Sequence, residues 1–352
     1  MTPTFDKVHL KFKLNGISYD HNALKEVAYS LVKEGESYEK VVGDFLLDWL
    51  NDKDFLLVKT SGSTGMPKIV ELKKAAMVNS AIMTGDYFDL QPGDKALHCL
   101  PSRYISGKMM LVRAMILGLE LDMVAPTLSP IIDDKKNYDF CAMIPLQVKK
   151  SIHHLKQIKT LIIGGASVSS TLIDKFQNLS TLVYETYGMT ETVSHIAVKR
   201  LNPKPAGSFQ LLPSIRVSID DRSCLIVDAP KLAANKIVTN DIVELITDQT
   251  FKLLGRYDNM INSGGVKVFP ELVELKLHDL IEERFFIASK EDKDLGEKLI
   301  LVIEGETNHI DKDVFSQLEK FEIPKMVYNI PKFIETETGK LKRKKILEAV
   351  LS

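Results

Sequence analysis

Thr60-Ser61-Gly62-Ser63-Thr64-Gly65-Met66-Pro67-Lys68 stands between two short apolar runs, Phe55-Leu56-Leu57-Val58 and Ile69-Val70-Glu71-Leu72. Runs of this length bounded by turn residues read as buried strands, so the nonamer is expected to be the loop of a β-hairpin rather than a strand-to-helix turn. Glycines at 62 and 65 let backbone N–H groups come close to a ligand. Ser61, Ser63 and Thr64 add hydroxyl donors, and Lys68 brings a compact positive charge. The combination suits a polyphosphate. It differs from the Walker loop, because the lysine follows Met-Pro instead of closing a Gly-Lys-Ser/Thr and no helix starts directly after it. Taken alone, the stretch also fits a plain Ser/Gly surface loop.

Around this loop the composition is that of a globular protein, with 45% hydrophobic and 26% charged residues in 352. The length accommodates two domains, or one large α/β domain with a small one. A formal net charge of -1 gives no electrostatic reason to invoke nucleic acid or an anionic membrane. Cys99, Cys141 and Cys224 are far apart and lack CxxC spacing, so neither a disulfide framework nor a zinc site is indicated, and each is expected to be a small buried apolar residue. There is no signal-peptide pattern, and no apolar run approaches the roughly 18 residues that span a bilayer. A soluble cytoplasmic protein without membrane insertion is expected.

Before the loop the pattern predicts a strand over 8–14 and helices over 23–32 and 38–50; after it, a helix over 73–86. Ala96-Leu97-His98-Cys99-Leu100-Pro101 reads as a buried strand leading into Ser102-Arg103-Tyr104-Ile105-Ser106-Gly107-Lys108 and an apolar helix over 109–117 that contains Arg113. Arg103, Lys108 and Arg113 around Tyr104 and Ser106 are either ordinary exposed cations or a cluster suited to a second carboxylate on the substrate. The apolar run 159–163 ends in Gly164-Gly165-Ala166, at the carboxyl end of a strand, where open α/β sheets bind ligands. A further strand runs into Tyr187-Gly188-Met189-Thr190-Glu191. Tyr187 offers a flat apolar face to a purine, Gly188 lets the chain pass close to a nucleotide, and Glu191 is a hard oxygen ligand of the kind Mg²⁺ prefers. His195 reads as a packed residue.

In Thr239-Asn240-Asp241, Asp241 can accept two ribose hydroxyls, while Asn240 tolerates a positive φ. Gly255-Arg256-Tyr257-Asp258 leads to Gly264-Gly265 and to Pro270-Glu271, which suit a first helical turn. A small α+β unit follows, with a helix over 270–280, strands over 285–288 and 299–303 and a helix over 312–318. It ends in Thr336-Glu337-Thr338-Gly339-Lys340-Leu341-Lys342-Arg343, and the basic residues 342–345 are expected to be solvated.

The nonamer and four of these stretches, in this order, resemble the signature segments of the acyl-adenylate-forming ligases, which include acyl-CoA synthetases, peptide-synthetase adenylation domains and luciferase-like enzymes. The likeness runs over roughly residues 55–345. It implies an α/β fold with a large N-terminal domain of mixed sheets with helices, residues 1–257, and a small mobile α+β C-terminal domain, residues 258–352, hinged at Asp258. The region before the loop is shorter than in those enzymes, so some elements that shape the acyl pocket there are expected to be missing. Asn240 stands where the ligases have glycine.

The resemblance also implies ATP, Mg²⁺ and CoA as ligands and assigns roles. The 60–68 loop holds pyrophosphate, Gly164, Gly165, Ala166 and Tyr187 hold adenine, and Asp241 and Arg256 hold ribose or phosphate. Thr190 acts on the phosphate, Glu191 on the metal, Lys340 as the catalytic lysine, and Gly264 and Gly265 line the thiol tunnel. Within the superfamily, the short chain and the Leu-Pro-Ser-Arg-Tyr-Ile-Ser-Gly segment resemble the 2-succinylbenzoate–CoA ligases of menaquinone biosynthesis, with Arg103, Tyr104, Ser106 and Lys108 at the acid. A ligase for another aryl or short acid, a stand-alone enzyme loading a carrier protein and a silent adenylate-binding protein are the other readings. Intact Lys340 and Glu191 argue against the last. Oligomeric state is open, a homo-oligomer included.

Overall fold

The apolar runs read as strands assemble into one mixed sheet of 13 strands in the computed structural model, which describes residues 3–59, 68–130, 132–133, 135–306, 310–335 and 341–351. From one edge the order is Ile17–Ser18, Lys13–Leu14, Glu120–Met123, Lys95–His98, Tyr138–Met143, Ile158–Ile163 and Leu182–Gly188, parallel from the second strand onward. His195–Arg200, Phe209–Leu211, Thr250–Arg256, Ile237–Thr247, Cys224–Asp228 and Arg216–Ile219 continue it, each antiparallel to its neighbour. The sheet therefore changes from parallel to antiparallel between Leu182–Gly188 and His195–Arg200.

The α-helices among the described residues are α1 (His21–Glu34), α2 (Ser37–Trp49), α3 (Lys74–Phe88), α4 (Ile105–Leu117), α5 (Pro145–Lys150), α6 (Ser170–Phe176), α7 (Pro270–Leu277) and α8 (Arg343–Leu351). Local chemistry sets their ends. Asp20 caps α1 by accepting from the Ala23 N–H at 2.9 Å, and Gly118, at φ +75°, ends α4 in the left-handed conformation that glycine adopts without strain. Side chains alternate across a strand, so Ala96 and Leu100 join the core on one face of the sheet while Leu97 and Cys99 join the core on the other. Helix α4 is buried continuously from Met109 to Ile116, the pattern of a central helix rather than a surface one.

Phe55–Lys59 and Ile69–Lys73 pair antiparallel, with Lys59 opposite Ile69, so the two ends of the glycine-rich stretch meet as a hairpin. Its strands are half-buried rather than buried, because Leu56 and Val58 pack inward while Leu57 is 62% exposed. The described residues between 261 and 346 carry hydrophobic clusters of their own, built on a second sheet of five strands. Val266–Val268, Ile261–Ser263, Gly296–Glu304 and Phe285–Asp292 run in order, and Met326–Ile330 lies parallel to Gly296–Glu304.

Three expectations change. The strand expected over 8–14 is only Lys13–Leu14, since Leu10 points into solvent at 95% exposure. The helix expected over 312–318 is a 3₁₀ turn, Lys312–Phe315. Arg343 is not a solvated tail residue. It donates to Oε2 of Glu274 at 2.7 Å and lies over the Phe286 ring at 5.3 Å, holding the start of α8 against the small sheet. The three cysteines are buried and free. Among the described residues no helix is long and apolar enough to cross a membrane.

Candidate active site

Strands Ile158–Ile163 and Leu182–Gly188 run side by side, and the loops beyond them leave the carboxyl edge of the sheet, where open α/β sheets place their ligand crevice. Gly165 takes φ +90°, and a Cβ on Gly164 would come 2.6 Å from Oγ1 of Thr186, so the turn is tailored to glycine. Tyr187 lies in a cluster with Phe209 and Phe251, 7% exposed, and its hydroxyl donates to Oδ2 of Asp241 at 2.6 Å. Burial, reinforced by the Asp241 carboxylate, pushes that phenol well above its ordinary range, so it remains a donor.

Asp241 also accepts from Arg256 at 3.0 Å, and the other terminal nitrogen of Arg256 reaches Asp258 at 3.1 Å. Burial works against this guanidinium, but the two carboxylates outweigh it and raise its pKa. Four residues chosen from distant motifs, Tyr187, Asp241, Arg256 and Asp258, therefore form one continuous hydrogen-bonded chain. Antiparallel pairing that sets Asp241 opposite Arg256 brings them together.

Gly188 has a local packing reason to be glycine. A Cβ there would lie 2.3 Å from the carbonyl oxygen of Ser194, so glycine lets the following turn fold back onto the strand. That turn carries Thr190 and Glu191 on a 3₁₀ segment, Thr190–Thr192, and places Val193 at φ +67°, a conformation β-branched residues rarely adopt. Glu191 is exposed and has no side-chain partner among the described residues. No group of three or more His, Cys, Asp or Glu suited to a metal occurs among them either. One free carboxylate fits Mg²⁺, which is commonly held by one or two carboxylates together with substrate phosphates and water.

On the inner side the same turn presents Ser194 and His195 to Arg113 of α4. Arg113 is 2% exposed and donates to Oγ of Ser194 at 2.6 Å and Oγ1 of Thr84 at 3.3 Å, with Nδ1 of His195 at 3.4 Å. It has no carboxylate partner among the described residues. Burial lowers its pKa to about 10, which leaves it charged near neutrality, and burial followed by the Arg113 charge holds His195 well below its ordinary value, neutral. Nε2 of His195 and the hydroxyl of Tyr104 are buried without hydrogen-bond partners among the described residues. Phe88 and Tyr184, 5.1 Å apart edge to face, extend an aromatic wall beside His195.

Arg103, Lys108 and Arg113 do not share one site. Arg103 is exposed and stacks on the Tyr104 ring at 4.7 Å, and Nζ of Lys108 lies 4.8 Å from the centroid of Phe45 on α2. Helical spacing explains the split, since Ser106 and Arg113 fall on one face of α4 seven residues apart, whereas Lys108 points to another. Gly264 and Gly265 form the turn between Ile261–Ser263 and Val266–Val268 at φ +60° and +83°. Lys68 is exposed just before Ile69–Lys73. Thr60, Ser61, Gly62, Ser63, Thr64, Gly65 and Lys340 lie outside the described residues. Thr84 and Ser194 were not singled out from the sequence, and His195 was read there as packed. The available signal was Arg113 itself, a cation inside the otherwise apolar run 109–117.

The sequence profile described as AMP-binding enzyme matches residues 33–235. The chain is 23% identical over 325 residues to the 2-succinylbenzoate–CoA ligase of Lactococcus lactis subsp. lactis (strain IL1403), covering 85% of this chain and 72% of that protein. It is 24% identical over 383 residues to the protein of the same name in Listeria innocua serovar 6a, covering 97% and 81%. Among solved structures, an acyl-CoA synthetase (AMP-forming)/AMP-acid ligase II-like protein from Dyadobacter fermentans is 34% identical, with 92% of this chain and 98% of that one covered and a TM-score of 0.62. The Bacillus subtilis o-succinylbenzoate CoA synthetase bound to its acyl-adenylate has the same fold, at a TM-score of 0.74, 20% identity and coverage of 82% and 68%. With more than half of its length matched by the profile, and the crevice residues spread through and just beyond that span, the chain belongs to the AMP-binding enzyme family.

Proposed function

We propose that the chain is an ATP-dependent carboxylate–CoA ligase acting through an acyl-adenylate, and that its acid is 2-succinylbenzoate, in menaquinone biosynthesis in the cytoplasm. The observation that carries the choice of acid is Arg113. It is a charged guanidinium buried among neutral partners, beside an orphaned His195 Nε2 and an aromatic wall. A buried cation without a counter-ion is costly, and a ligand that brings a carboxylate with an aromatic ring removes that cost.

A thiol cannot displace oxide from a carboxylate. In the proposed reaction the succinyl carboxylate attacks the α-phosphorus of ATP, the bond from that phosphorus to the bridging oxygen breaks, and pyrophosphate leaves. The CoA thiolate then attacks the acyl carbon of the mixed anhydride and AMP departs. Arg113 holds the ring carboxylate ionised while the other one reacts. Asp241 and Arg256 hold the ribose, with Tyr187 fixing the Asp241 carboxylate. Thr190 donates to the α-phosphate, the 60–68 loop takes the pyrophosphate oxygens, and Lys340 balances charge between the carboxylate and the α-phosphate. Glu191 would hold Mg²⁺, which when bound neutralises charge on the phosphates. Residues 1–257 act as the large domain and 258–352 as the lid, pivoting at Asp258 so that Lys340 and then the Gly264-Gly265 turn face the crevice.

The test is carboxylate-dependent pyrophosphate release with and without CoA, comparing 2-succinylbenzoate with 4-oxo-4-phenylbutyrate, which lacks the ring carboxylate. A ratio of kcat/KM above about tenfold, roughly 1.4 kcal/mol, supports a dedicated ion pair, and a smaller one rejects this acid. Release of ADP and orthophosphate would reject the adenylation chemistry altogether.

A further inference from the structure

Asn240 occupies the position at which the resembling ligases carry glycine, and the fold gives its side chain work that glycine cannot do. Its Nδ2 donates to both carboxylate oxygens of Asp258, at 3.3 and 3.2 Å. Its Oδ1 accepts from Arg222 at 3.0 Å, and Arg222 also donates to the carbonyl of Thr239 at 3.3 Å. Arg222 is held in turn by Asp220, whose Oδ2 lies 2.9 Å from Nε and 2.7 Å from a terminal nitrogen. The same guanidinium lies 5.0 Å over the ring of Tyr257, the residue before Asp258. The turn between Arg216–Ile219 and Cys224–Asp228 thus grips residues 257 and 258 twice, once through Asn240 and once by stacking.

We propose that Asn240, oriented by Arg222, is a positioning residue that clamps Asp258 and biases the small C-terminal unit toward the orientation seen here. The proposal rests on the reading of Asp258 as the pivot between two orientations. A change in φ at Asp258 swings its carboxylate away from the large domain, which breaks both Asn240 hydrogen bonds, while Tyr257, on the large-domain side of the pivot, stays under Arg222. The two hydrogen bonds are made in this orientation and lost in the other, so they contribute directly to the equilibrium between them, and Arg222 acts by orienting Asn240. Arg256 supplies a further bond to Asp258, but it is shared with Asp241, whereas the side-chain hydrogen bonds of Asn240 and Arg222 do not involve Asp241.

The experiment compares the wild type with Asn240→Gly, Asn240→Asp and Arg222→Met. Spin labels are placed at Lys204→Cys and Lys293→Cys, both exposed, in a chain whose own cysteines are buried. Pulsed dipolar distances between them report orientation without turnover. Single-turnover pyrophosphate release, and thioester formation from supplied acyl-adenylate, report the two half-reactions. Loss of hydrogen bonds to a charged acceptor should move the ratio of orientations by about fivefold or more in Asn240→Gly and Arg222→Met, in the same direction. Asn240→Asp, which sets a carboxylate against Asp258, should move it further still, an ordering that a general loosening of the fold would not produce. The ratio of half-reaction rates should follow the distances. Unchanged distances in all three variants, or Asn240→Asp behaving like the wild type, overturn the clamp. Urea unfolding of each variant shows whether it is folded, and a variant that is not is replaced by Asn240→Ser. If no carboxylate drives pyrophosphate release in the wild type, the ligase reading fails, yet the distances still judge the clamp.

Discussion

The Tyr187 hydroxyl and the Asp241 carboxylate meet at 2.6 Å, both residues 7% exposed, in a hydrogen bond joining two motifs more than fifty positions apart. A bond from a neutral donor to a buried carboxylate is worth about 1.5–3 kcal/mol. Tyr187→Phe keeps the ring in its cluster with Phe209 and Phe251 and removes only that donor. Its urea unfolding free energy should fall by about that amount, and its KM for ATP should rise on the order of tenfold as Asp241 loses its orientation. An unchanged KM for ATP would separate Asp241 from the ribose.

Arg113→Met should separate activity from stability. Methionine fills similar space without a charge to desolvate, so the variant without substrate should be at least as resistant to urea as the wild type. Turnover of 2-succinylbenzoate should fall on the order of 10²-fold in kcat/KM, while 4-oxo-4-phenylbutyrate should lose little. A large fall in unfolding free energy, with equal losses for both acids, would make Arg113 a structural residue.

Lys340 and Asp258 should fail in opposite half-reactions. Lys340→Ala removes one stabiliser of transition-state charge and should slow adenylation on the order of 10²-fold or more, sparing thioester formation from supplied acyl-adenylate. Asp258→Pro fixes φ at the pivot and should do the reverse. The two rates are read in single turnovers, and equal losses in both steps for both variants would contradict domain alternation.

Acid should weaken the fold through His98 and His195. Burial pushes His98 down to about 4, and burial with the Arg113 charge holds His195 well below its ordinary value. Below pH about 6.5 the unfolded chain takes up protons on these imidazoles that the native state refuses, so their stability is full above that pH and is lost as pH falls toward the folded pKa values. Each contributes a slope of about 1.4 kcal/mol per pH unit. His98→Asn should flatten the fall in unfolding free energy between pH 6.5 and 5 by about that amount. A slope equal to the wild type would show that His98 is already protonated in the native state.

Tyr187, Asp241, Arg256 and Asp258 stand out in the sequence as separate motif residues, and the fold joins them in one hydrogen-bonded chain. The pairing of Phe55–Lys59 with Ile69–Lys73 was legible because both runs are apolar and bounded by turn residues. Direction within a helix was harder to see. Arg103, Lys108 and Arg113 look alike as letters, and which of them faces inward depends on how α4 is rotated among α2, α3 and the 188–195 turn. The eight buried residues from Met109 to Ile116 did carry a warning, because a helix without a polar face cannot hold Arg113 in water. Arg343 was misread for the converse reason. It sits in a run of four basic residues that looks like solvent, and only the fold brings Glu274 to it.

The turn from Gly188 to His195 has a consequence for redesign. Its outer side bears Thr190 and Glu191, its inner side bears Ser194 and His195 against Arg113, and the contact of Gly188 with the Ser194 carbonyl leaves no slack between them. Under the proposed roles, selectivity for the acid and handling of the nucleotide therefore cannot be exchanged as separate modules. A library that varies 193–195 to admit other acids would shift the backbone beneath Thr190 and Glu191 as well, so such libraries need screening for ATP use before acid preference.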